Sequence, residues 1–308
     1  MKKFKAFFFG TFCAIFFFSN IIAVENKILF KVNNEIITSL DILTELRYLE
    51  IINNDFKKTP KKQAFEIAKK SLIREKIKEM ELKKFFEEIK VEDEFLNNLL
   101  INHFKSTGIK NINDFEKYFL SLDINPSLIK KKITIEVMWN QFIFEKFNQN
   151  VKINKELIKN ELLTNDKQKE FLLSEILFSF NKNEKLDQKL YLLEKEIKDK
   201  GFYQTALTYS ISDTANRGGK LGWVKETIMN SKIKENIKKV KINNHTKPIV
   251  IPGGFLILKI EDIREVENDF DLNTEVNKII KKKTNEQLNQ FSNIYFNKVK
   301  KEILINEL

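Results

Sequence analysis

The chain has 308 residues, 42% of them hydrophobic, a formal net charge of +11 and one cysteine, which is enough for two or three domains with real cores. A single cysteine excludes an intrachain disulfide. The basic residues are spread along a chain rich in Lys, Asn, Ile and Phe, with no compact Arg-rich patch, so the charge reads as a solvated surface and not as a nucleic-acid footprint.

Residues 1–23 read as a secretory signal. Lys2, Lys3 and Lys5 form the basic start, an apolar run covers 6–18, and Ala23 offers a small residue for cleavage. That run of about 13 residues is short of the roughly 20 that span a bilayer. Retention as an anchor is the alternative, because Ile21 stands where a smaller residue suits cleavage better. Removing the three lysines from +11 leaves +8 on a mature chain starting near Val24. Cys13 goes with the signal, so that chain has no thiol.

Residues 28–38 then read as two short strands about an Asn33-Asn34 turn, since asparagine tolerates positive φ. Thr38 or Ser39 caps a helix with Asp41 in its first turn and Leu43, Leu46, Leu49 and Ile52 at helical spacing. Pro60 opens the next helix, apolar at Ala64, Ile67, Ala68, Leu72, Ile73, Ile77, Met80 and Leu82, to about residue 86. Further helices are expected from 91 through Phe104 to near Gly108, over 115–122 after Asn113-Asp114, over 128–147 after Pro126 with Trp139 inside, and over 154–163.

The character changes near 165–170. A strand over 171–180 and a charged amphipathic helix over 186–200 are followed by a cluster of glycines. Of eight in the chain, Gly218, Gly219, Gly222, Gly253 and Gly254 fall together. A long helix over 272–305 closes the chain, with Val276, Ile279, Ile280, Leu288, Phe291, Ile294 and Val299 as its apolar positions.

Within the glycine-rich part, Ser210, Ser212 and Asp213 lead into Gly218-Gly219-Lys220-Leu221-Gly222-Trp223. This resembles the signature loop of the parvulin-type, PpiC-like prolyl isomerases. Lys247-Pro248-Ile249-Val250, the strand from Gly254 to Lys259 and the exit at Asp262-Ile263-Arg264 match the same family in order. The opening, Val32-Asn33-Asn34-Glu35-Ile36-Ile37-Thr38 with Asp41, resembles SurA-type periplasmic chaperones, here with one parvulin domain where some members have two.

The resemblance implies an α+β protein: a signal peptide at 1–23, a mostly helical chaperone region with a short hairpin at 24–167, a parvulin-like domain with a small antiparallel sheet at 168–266, and a C-terminal helix at 267–308 that packs back on the N-terminal region. It also implies where chemistry would sit. The cis/trans barrier of an X-Pro bond, about 18–20 kcal/mol, comes from amide resonance. A catalyst must grip the ring and favour the twisted amide. Parvulins use two facing histidines, a nearby Cys or Asp, and an apolar cup.

Here the histidine positions fall on Glu175 and Leu256, and the Cys/Asp position on Ser212. The cup positions fall on Met229, Asn230 and Ile233, with Leu221, Ile251 and Phe255 completing a peptide-binding set. Both histidines are replaced, so isomerase activity is expected to be weak or lost. An unpaired carboxylate beside Leu256 is costly, so Glu175 should have a raised pKa, turn to solvent or find a hydroxyl such as Ser212. The Gly-Gly and Gly-Trp elements also have a plain structural role, shaping a turn and packing Trp223 into a core.

His103 and His245 lie on a helix and a loop, and no metal-ligand spacing or phosphate loop occurs, so no cofactor or metal is expected. The expected function is a periplasmic chaperone binding unfolded polypeptides, outer-membrane precursors among them, with transient membrane proximity and no nucleic-acid partner. Apolar grooves beside the C-terminal helix and in the parvulin domain would hold the client. A working prolyl isomerase and a membrane-anchored assembly factor are the alternatives.

Overall fold

A computed structural model describes residues 26–163, 167–179, 185–267 and 271–308. The signal expected over 1–23 and the far end of the strand expected to reach Phe180 lie outside these residues. The elements in order are β1 (Ile28–Val32), β2 (Glu35–Thr38), α1 (Ser39–Ile52), α2 (Lys61–Leu82), α3 (Asp93–His103), α4 (Ile112–Leu120), α5 (Pro126–Phe147) and α6 (Lys155–Leu163). They continue with β3 (Lys167–Phe178), α7 (Leu186–Tyr209), β4 (Lys220–Lys225), α8 (Ser231–Ile237), β5 (Ile249–Ile251), β6 (Gly254–Glu267), α9 (Leu272–Lys300) and β7 (Ile305–Glu307).

Local chemistry explains the starts. Asn33 turns the first hairpin at φ 51°. Thr38 and Asp41 then form a reciprocal capping box, each accepting from the other's backbone N–H at 3.2 and 2.8 Å. Asn111 caps α4 by accepting from Asp114 N at 2.9 Å, and Pro126 occupies the first turn of α5 behind Asn125.

The closing segment differs from expectation. α9 stops at Lys300, not near 305, and β7 pairs antiparallel with β1, giving a sheet of order β2-β1-β7. β1 otherwise presents a row of unpaired backbone groups on that side, and pairing satisfies them. Asn33 fixes the approach by donating its N–H to Leu304 O at 2.8 Å and accepting from Leu304 N through Oδ1 at 2.9 Å.

The helical core closes around Trp139, which has no exposed surface and lies against Phe142, Tyr295 and Phe296. Its indole N–H donates to Ser292 Oγ at 2.8 Å. Around Trp139 the space between the helical region and the C-terminal helix is filled by side chains of both. Along α9, Val276, Ile279 and Val299 are buried, whereas Ile294 is 40% exposed and Phe296, outside the expected set, is buried.

The second sheet is antiparallel throughout, in the order β4-β3-β6-β5. Alternation along β3 and β6 gives it two apolar faces. Ile176, Phe178 and Ile257 meet Leu193, Phe202 and Ala206 of α7, while Phe171, Leu173, Leu256 and Leu258 meet Met229 and Ile237. α7 runs past the expected end at 200 to Tyr209, with a kink at Gly201. Trp223 is half-buried under the Arg264 guanidinium, 4.1 Å from its ring, and does not enter a core. Among the described residues no helix is long and apolar enough to cross a membrane.

Candidate peptide-binding and isomerase site

Strand β3 carries Glu175 on the same sheet face as Leu256 and Leu258. The register sets Glu175 opposite Leu258 and Leu256 opposite Leu177. The expected Glu175–Leu256 opposition is thus one pair out, and the two are diagonal neighbours.

Three hydroxyls at alternate positions of the loop lead to Glu175. Thr214 Oγ1 donates to Glu175 Oε1 at 2.8 Å, Ser212 Oγ lies 2.8 Å from Thr214 Oγ1, and Ser210 Oγ lies 2.9 Å from Ser212 Oγ. Ser210 Oγ accepts from Leu177 N at 3.1 Å and Ser212 N at 3.3 Å, which leaves its own proton for Ser212. Every hydroxyl in the chain then points toward the carboxylate. Burial pushes the Glu175 carboxyl above its usual pKa, and the hydroxyls of Thr214 and, behind it, Ser212 pull it partly back. Of the outcomes anticipated for Glu175, the raised pKa and the hydroxyl partner are both found in a part-buried carboxyl, and Thr214, not Ser212, makes the direct bond.

The apolar cup assembles in part. Met229, Ile233, Ile251 and Leu256 belong to one cluster on this face. Three other expected members do not join it. Phe255 points to the opposite face and stacks on Phe178 at 5.5 Å, as alternation with Leu256 requires. Asn230 is exposed and caps α8, accepting from Ile233 N at 2.9 Å. Leu221 is 38% exposed on β4, outside that cluster.

Helix α9 touches both rims of this cup. Lys283 Nζ donates to Ile228 O at 2.6 Å on one side. On the other, a Cβ added at Gly253 would lie 2.9 Å from Ile294 Cγ1, so glycine lets the helix approach the β5–β6 turn. Glu286, between them in sequence, is close enough for its charge to repel that of Glu175. Lys225 pairs with Glu275 nearer the start of α9.

The signature loop is docked on α2. Arg74 donates to Ile211 O at 3.3 Å and Asp213 Oδ1 at 2.9 Å, and reaches Asn293 Oδ1 of α9 at 3.5 Å. Lys70 donates to Ser210 O, and Asn53 to Asn216 O at 2.8 Å. Between α1, α2, α3, α5 and this loop lies a cavity of about 660 Å3, with His103 among its lining residues. His245 sits beside Phe202 and 3.5 Å from Glu194 of α7. No group of three or more metal-ligating side chains occurs among the described residues.

Thr214, Arg74 and Lys70 were not expected at the site. The alternation of hydroxyls at 210, 212 and 214 is a signal that could have singled out Thr214. Nothing in the sequence ties Arg74 and Lys70 to a loop about 140 residues away.

Residues 174–262 match the rotamase family described as the PPIC-type PPIASE domain. The chain is also similar to the chaperone SurA of Pseudomonas aeruginosa, 36% identical over 77 residues that make up 25% of this chain and 18% of the relative. Similarity to the chaperone SurA of Pseudomonas putida is 36% over 63 residues, 20% of this chain and 15% of that one. The matches thus span less than a fifth of either relative. Among solved structures, a chain from the work on two SurA-like chaperones of Campylobacter jejuni aligns over 92% of this chain and 99% of its own, with 16% identity and a TM-score of 0.37.

Proposed function

We propose that the protein is an exported, periplasmic chaperone that holds unfolded polypeptides, outer-membrane precursors among them, and that its PpiC-type domain binds peptide without catalysing prolyl isomerisation to any useful extent. The observation that carries this is the closed polar chain from Ser210 to Glu175. An isomerase must direct polar groups at the twisted prolyl amide. In this chain those groups bond to one another, and Leu256 has no polar atom to offer. The rims of the cup are also held by α9.

Holding a client needs many weak contacts and no chemistry, and it is compatible with all of these features. The similarity to proteins named as SurA chaperones supports the same assignment. Export through residues 1–23 belongs to it, and N-terminal sequencing of exported material should find a start near Val24. Recovery of an intact N-terminus in the membrane fraction would favour the anchored alternative.

The test of holding is suppression of aggregation. The exported protein, mixed with a denaturant-unfolded outer-membrane protein on dilution, should keep it soluble at near-equimolar ratio. Aggregation unchanged at severalfold excess would remove the assignment. The surviving cup of Met229, Ile233, Ile251 and Leu256 favours a second reading, an isomerase working by desolvation alone.

A further inference from the structure

We infer that the cavity between α2, α5 and the 210–217 loop binds a carboxylate carried on an apolar peptide, with Lys70 as the anchoring cation. This rests on the assignment of the chain as a polypeptide-binding chaperone and specifies which part of a client enters.

The cavity, about 660 Å3, is of the size that holds small ligands or a few peptide residues. Its walls mix apolar side chains such as Ile67, Ile133 and Val137 with four cations of α2 and α5. Three of those cations have their anion within the chain. Arg74 pairs with Asp213 at 2.9 Å, Lys78 with Glu136 at 2.5 Å, and Lys132 with Glu45 at 2.9 Å and Glu75 at 2.5 Å.

Lys70 differs. Among the described residues it has no carboxylate within ion-pair distance, and its ammonium rests on the neutral carbonyl of Ser210. The charged groups acting on it are Arg74 of α2, Lys300 of α9 and Lys189 of α7, all cations. Burial, and then these like charges, push its amine down to about 7. Charging the amine in such a place costs free energy, and an anion arriving in the cavity supplies the missing partner and favours the charged form.

The chemistry of the anion follows from the rest of the wall. Lys70 is the unpaired cation of the α2–α5 wall, and the exposed Arg217 of the loop is a second lining cation with no carboxylate partner among the described residues. Glu75, Glu136 and Asp213 also line the cavity and repel a dianion such as phosphate, while the apolar wall favours a hydrocarbon-bearing ligand. A peptide ending in a free carboxylate fits these conditions, and so does an Asp or Glu side chain flanked by apolar residues.

The test is fluorescence anisotropy on the full exported chain with a labelled short peptide of Leu, Phe and Ser. It is used as the free acid, as the C-terminal amide, and as the amide with one Glu near its end. The free acid should bind about tenfold more tightly than the amide, the size of one charge-assisted hydrogen bond. Lys70→Met should abolish that difference while melting no lower than the wild type, and Lys70→Arg should preserve it. Recovery of tight binding by the Glu-bearing amide would place a side-chain carboxylate in the same site, and failure would confine the site to chain termini.

Equal binding of acid and amide to the wild type overturns the inference whatever the variants do, as does displacement of the acid by inorganic phosphate at concentrations where acetate is inert. Aggregation suppression measured on the same preparation separates the two levels. If suppression persists while acid and amide bind alike, only the carboxylate site is lost. If suppression is absent, the chaperone assignment fails as well.

Discussion

Where the parvulin family keeps a neutral hydrogen-bonding ring, Glu175 brings a group that can carry charge, and the loop answers with hydroxyls. Burial raises its pKa above the ordinary carboxylate value. Between that ordinary value and the raised one, the folded chain binds more protons at this site than the unfolded chain. Stability from this group is therefore greatest at low pH and falls as pH rises through the window. Glu175→Gln, which cannot ionise, should make the decline in Tm above the ordinary carboxylate range less steep, leaving the part due to Glu286, whose carboxyl is pushed up to about 7. A wild-type slope retained in the variant would mean that Glu175 is not the titrating group. Thr214→Val removes the closest donor and should cost about 1–3 kcal/mol in a denaturant titration at pH 7. Less than about half a kcal/mol would indicate that solvent satisfies the carboxyl.

At the scale of elements, α9 is shared between two cores. Its first half meets Ile158, Leu162 and Ile228, and its second half meets Trp139, Phe142 and Phe147. Ser292→Ala leaves the buried Trp139 N–H without its acceptor and should lower stability by about 1–2 kcal/mol, read from equilibrium unfolding. At Gly219 of the signature loop, φ 77°, an added Cβ would lie 2.0 Å from the backbone oxygen of Glu175. Gly219→Ala should cost more than about 2 kcal/mol or prevent folding, since both the backbone conformation and a rigid carbonyl oppose it.

The helices were legible because long stretches with a 3.6-residue apolar period begin at a proline, as in 61–82 after Pro60 and 126–147 at Pro126. β7 was not, because Ile305–Glu307 is too short to show alternation and exists only through pairing with β1, far away in sequence. The continuation of α7 beyond Gly201 was missed for a related reason: a glycine that permits a kink reads locally as a stop. Trp223 was misplaced because its partner, Arg264, becomes its neighbour only through the sheet.

At the scale of the molecule, the N-terminal helices, the PpiC-type domain and α9 are joined around the signature loop. Arg74 alone contacts α2's neighbours in two of them, the loop at Ile211 and Asp213 and α9 at Asn293. Removing residues 268–308 would strip both Trp139 and the edge of β1, so the truncated chain should lose its cooperative melt and aggregate. An unchanged transition by calorimetry would contradict this arrangement. In the sequence, the loop, Met229, Ile233, Ile251 and the two lost histidines were readable because the family motif fixes their order. The sidedness of Phe255, the capping role of Asn230 and the position of α9 depend on strand register and packing between distant segments.

The central claim is that the PpiC-type domain of this chain no longer catalyses. The most direct measurement is the cis/trans exchange of an X-Pro peptide panel in the presence of the full chain, followed by NMR so that no coupling protease is needed. The Glu175→His/Leu256→His double substitution and an intact parvulin are run beside it. The closed Ser210-to-Glu175 chain predicts no acceleration by the wild type beyond the peptide alone, at concentrations where the parvulin accelerates exchange strongly. Wild-type acceleration comparable to that of the parvulin would contradict the account.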